Sequence, residues 1–112
     1  MAKFMVLYSS TASASQLMAN ATPEQMKASM SEWMKWKDNA SKAAKIDFGM
    51  PLQAVSHITP EGTSDSSSQV SGYSIVEGDS KGAIAKLLQT HPHLKRSGAS
   101  IDLLEMLAMP GM

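Results

Sequence analysis

The chain has 112 residues, enough for one domain that buries its own core, and we expect a single domain over residues 1–112. Ten basic and ten acidic side chains cancel, which disfavours nucleic-acid binding, and the absence of cysteine excludes disulfides, thiolate metal sites and cysteine nucleophiles. No apolar run approaches the roughly 18 residues of a membrane span, and the N-terminal run is below the roughly 7–15 residues of a signal peptide, so we expect a cytoplasmic protein without membrane contact.

The first twenty residues predict a strand and then a loop. Residues 3–8 (KFMVLY) form a short continuous apolar run, which is typical of a strand buried on both faces. Residues 9–21 show no clear hydrophobic period and are predicted to be loop, with a helical turn at 16–18 at most.

A helix start follows at Thr22. Thr22 and Gln25 have the spacing of a capping box, and Pro23 occupies the first helical position, so a helix is predicted from there to about Ala44. Helical spacing predicts that its core-facing stripe contains Met26, Met30, Trp33, Ala40 and Ala44, with Met34 and Trp36 at the edges.

The middle of the chain predicts a turn and a hairpin. Gly49 and Pro51 are strong breakers, so residues 47–52 (DFGMPL) are predicted to turn. Residues 53–59 and 70–77 are predicted strands, and the polar residues 60–69 between them predict an antiparallel hairpin.

The last third predicts a helix and a strand. The helix is expected to start at Asp79 or Ser80, and the final strand spans residues 100–108. The buried face of this helix is predicted to consist of Ala83, Ile84, Leu87 and Leu88.

The resulting order, β-α-β-β-α-β, is that of an α+β, ferredoxin-like fold with an antiparallel sheet. Helices cover one face of such a sheet. The final strand carries apolar residues on both of its faces, which indicates that the open sheet face is covered as well. We therefore expect a homodimer that forms through the open sheet face.

Several segments together resemble the YCII-related domain family. They are the opening strand KFMVLY, the tryptophan-bearing helix, the turn Gly49-Met50-Pro51, the strand GYSIVEGDS, the alanine-containing helix that ends in HPHL, and the tail MPGM. The resemblance covers nearly the whole chain. It implies a ferredoxin-like dimeric α/β barrel with a pocket between sheet and helices in each subunit.

The same resemblance implies a candidate catalytic position. Some family members are thought to use a histidine–aspartate pair, with one residue on the first helix and one just after the second. Here Glu32 and Trp33 stand near the first position, and His91 stands at the second. The pair does not carry over residue by residue.

His91 and His93 flank Pro92 directly after the predicted helix. Proline disfavours helical backbone at the preceding residue, so the motif is sufficient to end a helix without any further function. The alternative is that the proline-fixed bend aims an imidazole into a pocket for acid–base chemistry, with His91 as the candidate catalytic residue and His93 as a candidate ligand-binding residue. Two histidines supply too few ligands for a catalytic metal, unless the fold brings His57, Asp47, Asp102 or Glu105 close to complete the set, so we expect no metal. We expect no cofactor either.

Trp36, Lys37 and Tyr73 are the other candidate ligand-binding residues. Trp33 is predicted to lie in the core, whereas Trp36 is equally compatible with the core and with a pocket wall. Lys37 falls inside the apolar stripe, and two interpretations fit this position. Its stem lies on apolar surface with the ammonium in water, or its ammonium binds an anion in the pocket.

Ten methionines are unusual for this length. Met106, Met109 and Met112 follow one another at three-residue spacing, and thioethers favour Cu(I), but methionine more simply fills irregular packing gaps. Residues 64–68 include four serines without the glycine-rich cradle of a phosphate site.

Two functions fit these residues. The first is a small cofactor-independent enzyme that uses His91 in acid–base chemistry on a small cyclic or aromatic metabolite. The second is a non-catalytic dimeric domain that binds a small molecule or has an accessory role. A concave pocket that contains His91 would favour the enzyme.

Overall fold

The computed structural model describes residues 2–110, apart from the side chain of Ala14. Within that range the strands are β1 Ala2–Ser9, β2 Lys45–Pro51, β3 Ser56–Thr59, β4 Gly62–Asp65, β5 Val70–Gly78 and β6 Ser100–Glu105. The helices are α1 Ala14–Asn20, α2 Pro23–Ala40 and α3 Lys81–Leu88, with a 3₁₀ helix at Pro92–Lys95. The predicted α+β class with an antiparallel sheet is confirmed.

The main sheet has the strand order β2-β5-β1-β6, and each neighbouring pair is antiparallel. As a consequence, β1 and β2 are parallel to each other, with β5 between them. β5 and β6 are likewise parallel, with β1 between them. Helix α2 connects the first of these parallel pairs, and α3 connects the second. β3 and β4 form a separate two-stranded hairpin.

The core lies between one face of this sheet and the helices. Phe4, Val6 and Tyr8 of β1 alternate with half-buried residues, as the period of two in a strand requires. The helices cover these three residues with Trp36, Ala40, Ile84 and Leu88. The predicted strand at residues 3–8 is therefore confirmed, although only one of its faces is fully buried.

The start of α2 is as predicted, but its buried face is different. The Thr22 hydroxyl accepts from the Gln25 amide, and the Gln25 side chain accepts from the Thr22 amide. The predicted stripe is wrong in its first half, because Met26 and Met30 are 44% and 70% exposed while Trp36 is buried. The helix also ends at Ala40 rather than near Ala44.

The predicted pairing in the middle of the chain is wrong. The strand that pairs with β5 is β2, which includes most of the segment expected to turn at residues 47–52. Residues 56–59 pair instead with residues 62–65, which lie in the predicted loop. β2 is an edge strand with a register shift between Phe48 and Pro51, and edges and bulges are where sheets tolerate glycine and proline.

Two further segments depart from the sequence prediction. Residues 9–21, predicted as loop, contain α1, which begins with a capping box formed by Ser13 and Gln16. Every residue of the β3–β4 hairpin is exposed, and the positive φ of Gly62 forms part of its turn. The predicted final strand is shorter than expected, because β6 ends at Glu105.

Candidate functional site

A cavity of about 350 Å³ lies between the sheet and the first two helices. Its walls come from β1, α1, α2, β2, β5 and the segment after α3. The larger side chains that line it are Tyr8, Leu17, Met18, Met30, Trp33, Met34, Phe48, Met50, Tyr73, His93 and Arg96. The volume falls within the range of small-molecule pockets, and the lining is mainly apolar and aromatic.

The position of the cavity explains why the predicted helix stripe is wrong. Met30 and Met34 of α2 line the cavity instead of packing on the sheet. The middle of α2, from Ser29 to Met34, therefore borders the cavity, while Trp36 and Ala40 near its end close the core. Methionine suits such a wall because its unbranched side chain adapts to ligands of different shape.

Tyr8 connects the cavity to a cluster of rings behind it. Its ring centroid lies 5.1 Å from Trp33, 5.0 Å from His91 and 5.2 Å from His93. Its hydroxyl is hydrogen-bonded to Ser74 Oγ at 2.9 Å. Burial raises the pKa of Tyr8, with the hydrogen bond to Ser74 opposing that effect in part, so the phenol is neutral at physiological pH.

His91 is buried within this ring cluster and is absent from the cavity lining. It is only 2% exposed, and its centroid lies 4.4 Å from both Trp33 and Trp36. Nδ1 accepts from the amide of His93 at 3.0 Å, so the proton of the neutral ring is on Nε2. Among the described residues Nε2 has no hydrogen-bond partner. Burial and the neighbouring His93 lower the pKa of His91 to about 4.

His93 differs from His91 because it lines the cavity. Its Nε2 lies 2.9 Å from the carbonyl oxygen of Ser9, and a carbonyl only accepts, so Nε2 is the donor. The ring nitrogen that this leaves for a ligand is Nδ1. Of the two predicted histidines, His93 is the one that lines the cavity.

The two tryptophans have different places: Trp33 packs against the core as predicted but also lines the cavity, and Trp36, for which the sequence left core and pocket wall open, lies in the core. Trp33, expected in the core, lines the cavity and packs 5.6 Å from Phe48 in an edge-on arrangement. Trp36 is buried outside the lining, where Nε1 donates to the Leu87 carbonyl at 3.2 Å and to Thr90 Oγ1 at 3.1 Å. These bonds fix α2 against the end of α3.

Lys37 and Tyr73 lie at the margins of the site. The Lys37 ammonium lies 5.3 Å from the centroid of Phe48, outside the lining, which is the arrangement of a stem on apolar surface with a cation over a ring. Tyr73 borders the cavity, but its register opposite Leu7 directs its side chain to the open sheet face. There its ring covers Gly49, where a Cβ would overlap it.

Arg96 is the main site residue that sequence reasoning missed. It lines the cavity, and it is the chain's single arginine, placed three residues after His93. No aspartate or glutamate is among the lining residues. The signal that was available is the chain's single arginine, two residues after the HPHL segment.

Comparison with known proteins adds no family: no family model matches the chain, and no curated protein matches it. Within residues 2–110 no helix combines the length and the apolar character of a membrane span. In the same range no three histidine or acidic side chains converge as metal ligands would. Met112, the last of the predicted methionine series, lies outside the described residues.

Proposed function

We propose that this protein binds a small ring-containing molecule in the cavity between sheet and helices. The observation that carries the proposal is the 350 Å³ volume, with Trp33, Phe48 and Tyr8 in its walls and few polar groups. A ring stacked among these side chains would gain apolar burial and favourable aromatic geometry. Ligand binding thus accounts for the site without requiring His91 to reach the ligand.

A neutral aromatic probe tests this proposal. N-phenyl-1-naphthylamine fluoresces strongly in apolar surroundings, and we expect a dissociation constant on the order of 10 µM, from about 0.4 kcal/mol per non-hydrogen atom. Ser29→Phe places a ring in the lining and should abolish binding. Ser31→Phe, on an exposed position of the same helix, is the matched control and should leave binding unchanged. Equal binding by both variants would show that the probe binds elsewhere.

Acid–base catalysis is a second candidate, and the position of His93 favours it. Nδ1 of His93 is the ring nitrogen available beside a bound ligand, whereas both nitrogens of His91 are enclosed. The catalytic role predicted for His91 would thus fall to His93. Proton exchange at the enolisable carbon of phenylpyruvate in D₂O, followed by NMR, tests this. Catalysed exchange that His93→Gln removes and His91→Asn retains would support it; equal exchange with and without protein would exclude it for this compound class.

We further propose that the chain is a YCII-related, ferredoxin-like domain that forms a homodimer through its open sheet face. The alternation of β1 and β5 supports this, because Met5, Leu7, Tyr73 and Ile75 share that face and are only half-buried. On β6, Leu104 pairs with Met5 and is 47% exposed. Contiguous apolar surface of this kind marks an interaction site.

The mass in solution tests the dimer. Light scattering at micromolar concentration should give twice the chain mass of 12.0 kDa. Leu7→Lys places a charge in the middle of the open face and should give single chains. Met30→Lys, on the helical side of the molecule, should leave the dimer intact. A wild-type mass of one chain would exclude the proposal.

A further inference from the structure

Arg96 lies where the ligand cavity meets a second one. The second cavity has a volume of about 480 Å³ and shares four lining residues with the first, namely Leu17, Met18, Ser29 and Arg96. The first cavity is mainly aromatic and aliphatic, whereas Asn20 and Gln25 contribute amide groups to the second. The two cavities therefore adjoin, and the cleft they form is mainly apolar at one end and lined by both apolar and polar side chains at the other.

The permanent charge in the lining of this cleft is positive. Arg96 is the one permanently charged side chain among the lining residues of either cavity, and neither lining contains a carboxylate. Within residues 2–110 the ion pairs involve Lys3, Lys45, Glu77, Lys95 and Glu32, and none involves Arg96. An unneutralised guanidinium at the border of an apolar cavity attracts an anion.

The backbone holds Arg96 at this border. The 3₁₀ helix Pro92–Lys95 ends at Arg96, whose amide donates to the His93 carbonyl at 3.3 Å. His93 is in turn tied to β1 through the Ser9 carbonyl. Hydrogen bonds within the fold thus set the position of the Arg96 backbone relative to the cavity.

We infer that the ligand is an apolar ring compound with a single anionic group. Its ring lies in the first cavity, and its carboxylate or sulfonate lies on the Arg96 guanidinium, where the planar fork of N–H donors fits two oxygens. Asn20, Gln25 and Ser29 provide additional polar groups around that end of the ligand. This inference rests on the proposed function, since it assigns a ligand class to the same cavity.

Two probes that share an aromatic skeleton separate the charge from the ring. 1-Anilinonaphthalene-8-sulfonate is N-phenyl-1-naphthylamine with one added sulfonate. We expect Arg96→Gln to weaken binding of the sulfonate about tenfold, which corresponds to about 1.4 kcal/mol, and to change binding of the neutral probe less than twofold. Lys95→Gln, which removes the adjacent exposed cation, is the matched control and should affect neither probe.

The outcomes distinguish the two proposals. If the neutral probe does not bind, or if Ser29→Phe does not affect its binding, the proposed function fails. If the neutral probe binds there but Arg96→Gln leaves sulfonate binding unchanged, the cavity stands and the anionic class is refuted. If Lys95→Gln weakens sulfonate binding as much as Arg96→Gln does, the effect is one of general surface charge, and the inference is refuted as well.

Discussion

Protonation of His91 is expected to destabilise the fold in mild acid. The side chain is 2% exposed, and the rings that surround it are those of Tyr8, Trp33, Trp36 and His93. Burial, followed by the charge of His93, lowers the pKa of His91 from 6.5 to about 4. The unfolded chain therefore takes up this proton at a higher pH than the folded chain does.

The sign and the size follow from that difference. Because the unfolded state binds more protons between the two pKa values, the stability contributed by neutral His91 is fully present above pH 6.5 and is lost as the pH falls towards 4. At 1.36 kcal/mol per pKa unit the complete loss is about 3 kcal/mol, of which about 2 kcal/mol falls between pH 7 and pH 4.5. That is a large fraction of the roughly 5–15 kcal/mol that stabilises a domain.

Urea unfolding at pH 7 and pH 4.5 measures this loss. His91→Asn removes the titrating ring, and its amide oxygen accepts from the amide two residues on as Asx turns do, so the His93 N–H keeps a partner. This variant should be less stable at pH 7, because ring packing is lost, but its stability should fall about 2 kcal/mol less on acidification than that of the wild type. His57→Asn, in the exposed hairpin, should behave like the wild type.

Two results would refute the reasoning. One is an equal loss of stability on acidification in the wild type and in His91→Asn. The other is an imidazole NMR titration that places the pKa of His91 in the folded protein near 6.5.

Two further comparisons test packing on the two faces of the sheet. Gly49→Ala should lower the free energy of unfolding by about 1–3 kcal/mol, because a Cβ there overlaps the Tyr73 ring. Gly72→Ala is the control and should have a mild effect, because a Cβ there lies 3.6 Å from Tyr8. The unfolding midpoints of both variants measure the difference. Tyr8→Phe should cost about 1–3 kcal/mol because it leaves the buried Ser74 hydroxyl without its partner, and in urea unfolding the added Ser74→Ala should recover part of that loss.

The sequence predicted best those features that depend on neighbouring residues. The capping box of Thr22 and Gln25 is formed by residues three apart, and its prediction is confirmed. Of the two predicted starts of α3, Asp79 and Ser80, the structure has Ser80 as the cap, which accepts from the Ala83 amide. The helix likewise ends before His91, as the proline at the next position requires.

Features that depend on distant partners were not accessible in this way. Gly49 and Pro51 predict a turn when they are considered alone, and only the edge position of β2 beside β5 makes them compatible with a strand. The cavity could not be predicted for the same reason. A helical stripe that includes Met30 predicts a core, because the pattern does not tell whether a sheet or an open space lies beneath the residue.

In the HPHL segment, a local signal, the proline, determines where the helix ends, and hydrogen bonds determine which histidine nitrogens are already engaged. The stop imposed by Pro92 places His91 and His93 two residues apart on a tight turn, where the amide of one binds the ring of the other. His91 uses Nδ1 for that bond and has Nε2 enclosed by rings, so both of its nitrogens belong to the fold. His93 uses only Nε2, towards Ser9, and stands in the cavity wall. The sequence marks His91 as the candidate catalytic residue and His93 as a candidate ligand-binding residue, whereas the structure encloses His91 among rings and places His93 in the cavity wall.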